Sequence, residues 1–210
     1  MSGADVNDHI ALGDAADLAT NTEFFANLIS GYSSAKTGDT LPRYEDCLIQ
    51  DRILPLLQTA IVFDLSEPNT VRYRLCGKAV ADRVGVDMTG KNLLDFVPVE
   101  NREDVYADML AMVTVPCGNY SKYINLYSGG RSALSESMGL PLHSDGISSS
   151  HFILSLQSTE ATISSDTRMR GVQKTGETLI GADWVESIFI DVGFGTGGLT
   201  SLQKRQRAEK

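Results

Sequence analysis

The chain has 210 residues, 42% of them hydrophobic and 21% charged, which is enough for one ordinary soluble domain and unlike a disordered composition. Its formal net charge of −9 makes phosphate backbones and anionic lipid surfaces poor partners, so nucleic acid and membrane are set aside. Three widely spaced cysteines, Cys47, Cys76 and Cys117, make neither a disulfide framework nor a zinc pattern, and no stretch has the roughly 20 apolar residues that cross a bilayer, so a soluble cytoplasmic protein is expected.

Residues 1–19 are small, acidic and weakly patterned, and read as a flexible lead without a secretory signal. Thr20 and Glu23 have the spacing of a capping box. Behind them Phe24, Phe25, Leu28, Ile29 and Tyr32 recur with the helical period. A stripe that wide either covers a sheet face or meets a second copy of the chain. Phe24, Phe25, Leu28 and Tyr32 are therefore candidate homodimer contacts.

After an irregular stretch broken by Pro42 and Pro55, residues 60–65 and 71–75 read as a hairpin around the turn signal Glu67-Pro68-Asn69. In the second strand Val71, Tyr73 and Leu75 alternate with Arg72 and Arg74. Residues 78–84 form a helix stopped by Gly85, and 92–97 a short helical piece ending before Pro98. A longer helix starts at Asn101, with Glu103 and Asp104 where the helix dipole favours negative charge. Its apolar face is Val105, Met109, Met112 and Val113, and Pro116 ends it.

Three further strands are expected at 119–127, 133–142 and 151–156, separated by Gly129-Gly130 and Ser144-Asp145-Gly146. Residues 159–178 read as a polar linker, 179–192 as a strand or helix, and Lys204, Arg205 and Arg207 as a solvated end. The organisation is then a lead at 1–19, one domain at 20–158 and an extension at 159–210. Strand runs split by a helical block predict an α+β fold, with an antiparallel sheet and helices on one face.

Four stretches resemble the PAS domain, and more narrowly the bacterial PAS_5 family of small PAS proteins. They are Leu41-Pro42-Arg43; Val71 to Val80, with its Arg72-Tyr73-Arg74-Leu75-Cys76-Gly77 core; Asp87-Met88-Thr89-Gly90 with Leu93; and Gly139-Leu140-Pro141-Leu142 with Asp145-Gly146. The resemblance implies a five-stranded antiparallel sheet with helices across one face, often around a small-molecule pocket. It implies a stand-alone sensory or regulatory protein with no output domain, acting through a small molecule or a protein partner. A PAS-fold adaptor or dimerisation module with a filled core is the alternative. No cofactor is required.

Tyr73, Cys76, Phe96, Met109, Met112, Tyr123 and Ser137 are the candidate pocket lining, with Ser121 and Asn125 as further polar groups if their strand faces inward. No catalytic constellation is visible, because no serine sits in a G-x-S-x-G elbow, and no enzyme activity is expected. His143 and His151 flank a turn but lack a third ligand, so no metal is expected. Phe189-Ile190-Asp191 followed by Gly193, Gly195, Gly197 and Gly198 is similar to the cofactor loop of S-adenosylmethionine-dependent methyltransferases. Such a loop must open a βαβ unit. The 12 residues after Gly198 are too few for one, which leaves a methyltransferase fragment as a remote alternative.

Overall fold

A computed structural model describes residues 9–143, 151–158, 161–163 and 177–199. The expected turn at 144–146, most of the 159–178 stretch and the basic C-terminal residues lie outside them. In chain order, β1 (His9–Ala11) leads through a 3-10 turn at Leu12–Leu18 into α1 (Thr22–Ala35) and α2 (Tyr44–Leu48). The hairpin β2 (Ala60–Asp64) and β3 (Arg72–Cys76) follows, then α3 (Lys78–Val84), a 3-10 turn at Leu93–Phe96 and α4 (Arg102–Thr114). The chain closes with β4 (Gly118–Tyr127), β5 (Ser132–Leu142), β6 (Phe152–Gln157), β7 (Ala161–Ile163) and β8 (Leu179–Asp191).

The expected order of two strands, a helical block and three strands is present, and β3-β2-β6-β5-β4 pair antiparallel throughout. The sheet does not stop at five strands. β8 adds antiparallel to the β4 edge, β1 adds parallel to β8, and β7 pairs β5 beside β6. Two boundaries move with this. From His9 onward the expected flexible lead is strand and 3-10 turn, with Ala15, Ala16 and Ala19 buried. Residues 179–191, expected in an extension, are a strand of the same sheet.

Helices cover both sheet faces, not one. α3 and α4 lie on one face, the inner, and α1 and α2 on the other, the outer. Phe25, Leu28 and Tyr32 are fully buried against the outer face, where Phe25 meets Tyr120 edge-on at 6.3 Å and the Tyr32 hydroxyl donates to the Pro141 carbonyl at 2.8 Å. Burial within one chain removes these three from the surface offered to a second copy, and Phe24 stays only half-buried at the edge of the cluster.

The start of α1 also differs from the capping-box expectation. Asn21 is the cap, its side chain accepting from the Phe24 amide at 3.3 Å. Thr20 is drawn instead to Glu136, a carboxylate buried on the outer face of β5. The Thr20 amide and hydroxyl both donate to it, the hydroxyl at 2.8 Å, and the Tyr120 hydroxyl donates at 2.9 Å. Charge-assisted bonds to a buried carboxylate outweigh an exposed capping geometry.

The clean alternation expected in β3 breaks at Arg74. Tyr73 opposes Phe63 but Leu75 opposes Val62, so Arg74 is the extra residue of a bulge. Val71 and Tyr73 face inward, while Leu75 packs against the outer cluster and Arg74 lies over the Phe152 ring at 4.9 Å. The other edge of β3 is covered by the turn after α3. The Gly90 amide donates to Tyr73, the Tyr73 amide to Lys91 and the Leu93 amide to Val71, at 2.8–2.9 Å. Gly90 takes φ of +81°, a conformation that favours glycine, and Asp87 closes the turn by accepting from the Thr89 amide.

Candidate functional site

Between the inner sheet face and the α3–α4 layer lies a cavity of about 90 Å³. Its roof is apolar. Val80 and Val84 come from α3, Met88, Leu93 and Phe96 from the following turns, and Val105, Met109 and Met112 from α4. The hairpin contributes Ile61, Phe63 and Tyr73, with the Phe63 and Tyr73 rings 4.9 Å apart. The 3.6-residue period of α4 brings 105, 109 and 112 onto one side, and Asp108 joins them at a half-exposed position.

The floor is polar and uncharged. The pleat of β4 sends Asn119, Ser121, Tyr123 and Asn125 inward, and the same period brings Ser137 and Gly139 from β5 and Ser155 and Gln157 from β6. This settles the face of β4, because Tyr120 points to the outer cluster. β8 completes the floor with Ala182, Trp184 and Ser187. Trp184 and Ser187 face the same way because the β4–β8 register shifts beside Lys122 and Tyr123, leaving Val185 as the extra residue.

Several floor groups already hydrogen-bond one another. The Asn119 amide donates to the Ser187 hydroxyl at 2.7 Å, the Ser121 hydroxyl to Asn119, and the Asn125 amide to Ser135 at 3.2 Å. Tyr123 stacks on Trp184 with centroids 5.6 Å apart. Burial, then the neighbouring Tyr123 and Cys76, raises the Tyr73 phenol far above its ordinary value, so it stays a neutral hydroxyl. At the rim, the Arg83 guanidinium donates to the Gln157 side-chain oxygen.

Of the seven candidate lining residues, Tyr73, Phe96, Met109, Met112, Tyr123 and Ser137 meet at this cavity, and Ser121 and Asn125 join them. Cys76 does not. It ends β3 opposite Ile61, half-buried at the margin of the inner cluster. Its thiol is pushed above the ordinary value by burial, which outweighs the lowering from a backbone hydrogen bond at Met88, while Asp87 raises it and Arg83 lowers it less; a thiolate nucleophile needs the opposite shift. Cys117, buried behind α4, is pushed up to about 12 by burial and the nearby Asp108.

Trp184, Ser187 and Ala182 were not foreseen, because their strand was not assigned. Asn119 carried one available signal, its period-two spacing from Ser121, Tyr123 and Asn125, whereas Ser155 and Gln157 carried none, because no candidate stood on their strand. Asp108 carried none, lying between apolar positions.

The other motifs are occupied locally. Asp191 accepts from the Gly193 and Gly195 amides, each at 2.8 Å, and these bonds hold its carboxyl below the usual range. The acid and the amides that would serve a cofactor are thus bonded to each other. Gly193, Gly195, Gly197 and Gly198 all take positive φ, which is what so tight a turn requires. His143 is held by its backbone, donating to Pro42 and accepting from Tyr44, and the His151 carbonyl accepts from Leu65. Among the described residues no group of three His, Cys, Asp or Glu side chains could hold a metal ion, and no helix is long and apolar enough to cross a membrane.

No family model and no curated protein matches the chain. A solved structure of a fungal LOV-domain photoreceptor is similar at 17% identity and a TM-score of 0.36, over 47% of this chain and 72% of that one. A likeness of that size decides nothing about ligand or mechanism.

Proposed function

We propose that this chain is a PAS-type sensory or regulatory domain that takes up a small molecule between its sheet and the α3–α4 layer and passes the event to a protein partner. The observation that carries the reading is the cavity of about 90 Å³, with an apolar roof over a floor of neutral hydrogen-bonding groups. That is the usual make-up of a small-molecule site: apolar area holds the ligand and a few polar groups orient it. A single water needs about 10–15 Å³ on the same measure, so the space admits more than water. The PAS part of the reading is supported by the four motif stretches and by the order of strands and helices. Two of those stretches have local work in the fold. Asp87 to Gly90 closes the edge of β3 and delivers Met88 to the roof. Gly139 keeps β5 close under Met112.

The test is a native mass spectrum of protein purified without denaturation. Added mass that leaves on unfolding is the expected result. A bare chain that also binds no member of a small-molecule fragment library would favour the adaptor reading.

A further inference from the structure

The hydrogen bonds that the floor leaves unmade narrow the ligand class, given that the cavity is a ligand site. Strand register sets Ser187, Ser121, Ser137 and Gln157 opposite one another, in one row across β8, β4, β5 and β6. Asn119, Gly139 and Ser155 form the next inward-facing row. Most of these groups are engaged within the protein: Asn119 donates to Ser187 and accepts from Ser121, and Gln157 accepts from Arg83. Among the described residues, the lining hydroxyls of Tyr73, Ser137 and Ser155 have no hydrogen-bond partner, and Tyr73 and Ser155 are more than nine-tenths buried. Buried hydroxyls are ordinarily bonded, and one that is not costs free energy until something supplies the bond.

We infer that the cavity selects a single-ring aromatic molecule carrying a hydroxyl or carbonyl group. Three physical points lead there. The unpartnered groups are hydroxyls, which donate and accept, so a hydroxyl or a carbonyl on the ligand completes them. The rest of the wall suits a ring. Phe63 with Tyr73 and Tyr123 with Trp184 stand around the space as aromatic pairs, and aromatic contacts add to affinity beyond the area they bury. The thioethers of Met88, Met109 and Met112 in the roof favour a ring in the same way. Water would satisfy the hydroxyls but gain nothing from these groups. The third point is size: an apolar cavity of about 150 Å³ takes up benzene, so about 90 Å³ limits the ligand to one ring.

The experiment titrates phenol, toluene and cyclohexanol calorimetrically into the full chain. Toluene keeps the ring and replaces the hydroxyl by a methyl group of similar size, and cyclohexanol keeps the hydroxyl without the aromatic face. Trp184 is the chain's single tryptophan and lines the cavity, so its emission locates the binding. Phenol should bind about tenfold or more tighter than toluene, which leaves the hydroxyls unpaired. It should bind about threefold or more tighter than cyclohexanol. The preference over toluene should fall below about threefold in a variant combining Tyr73→Phe, Ser137→Ala and Ser155→Ala. Each of these changes deletes one oxygen without a partner in the protein, so the fold should persist, and circular dichroism checks it. Equal affinity of phenol and toluene, or a preference that survives the triple variant, would overturn the assignment to these hydroxyls while leaving the cavity reading standing. Cyclohexanol binding as tightly as phenol would overturn the aromatic class. Binding of none of the three would overturn the inference as a whole, and a different molecule retained in the native mass spectrum would then still support the cavity itself.

Discussion

The two faces of this sheet are built by the same strands and end differently. Outward, β5 presents Met138, Leu140 and Leu142, β6 presents Leu154 and Leu156, and β4 presents Tyr120, and all six are fully buried under α1 and its neighbours. Inward, alternate positions of the same strands carry Ser121, Ser137, Gly139 and Ser155, and the layer above them leaves a cavity. Along β5 the pleat sends Met138, Leu140 and Leu142 to one side and Ser137 and Gly139 to the other. Large residues facing a helix fill the space between layers, while small ones leave it open and supply hydrogen bonds. The outer face is filled, and the inner face lines the cavity.

Perturbing the outer face should produce the largest effects. Phe25→Ala removes a ring with no exposed surface from a filled layer. It should cost about 3–5 kcal/mol in urea unfolding, the range for deleting a buried aromatic. A loss below about 1 kcal/mol would mean that this face is as open as the other. Glu136→Ala leaves the Tyr120 hydroxyl and the Thr20 amide without their shared acceptor. A loss of about 2–3 kcal/mol is expected by the same assay, together with faster amide exchange at the start of α1.

Alkaline pH tests both faces together. Cys47 lies in the outer cluster and Cys117 in the inner, and burial pushes each thiol up to about 12. Both are protonated in the folded chain at pH values where the unfolded chain has already ionised. Their contribution is complete below about pH 9 and is lost as pH rises toward 12, at about 1.4 kcal/mol per unit for each thiol. Urea midpoints measured from pH 8 to 10.5 should fall, and Cys47→Ala with Cys117→Ala should flatten the slope. A slope unchanged in that double variant would place the titrating groups elsewhere.

The smallest effect is expected from filling the cavity. Ser137→Leu adds apolar volume where space exists, so stability should stay within about 1 kcal/mol, in contrast to the about 1–3 kcal/mol usual for overpacking a closed core. Destabilisation beyond about 2 kcal/mol would argue that the inner face is closed too.

Much of this was legible in the sequence, for identifiable reasons. α1, α3 and α4 announced themselves by apolar period and by stops at Gly85 and Pro116, and the five strands by alternation between turn residues. Tyr73, Met109, Met112 and Tyr123 followed from those periods. β1 was not legible, since three residues pairing in parallel with a strand some 180 positions later leave no local pattern. β8 was ambiguous because Gly181, Asp183 and the extra residue Val185 interrupt its alternation. The bulge at Arg74 and the pull of Glu136 on Thr20 are tertiary effects that override sound local signals. The contrast between faces was present but unread: in 137–140, Ser-Met-Gly-Leu alternates small with large.

Methionine methyl NMR under xenon pressure tests the central claim most directly, because xenon enters accessible apolar space whatever the natural ligand. Met88, Met109 and Met112 line the cavity, and Met138 is buried in the outer cluster. The account predicts saturable shifts of the first three methyl resonances with Met138 unmoved. Three inner methionines that do not respond, or a Met138 that moves as far as they do, would contradict it.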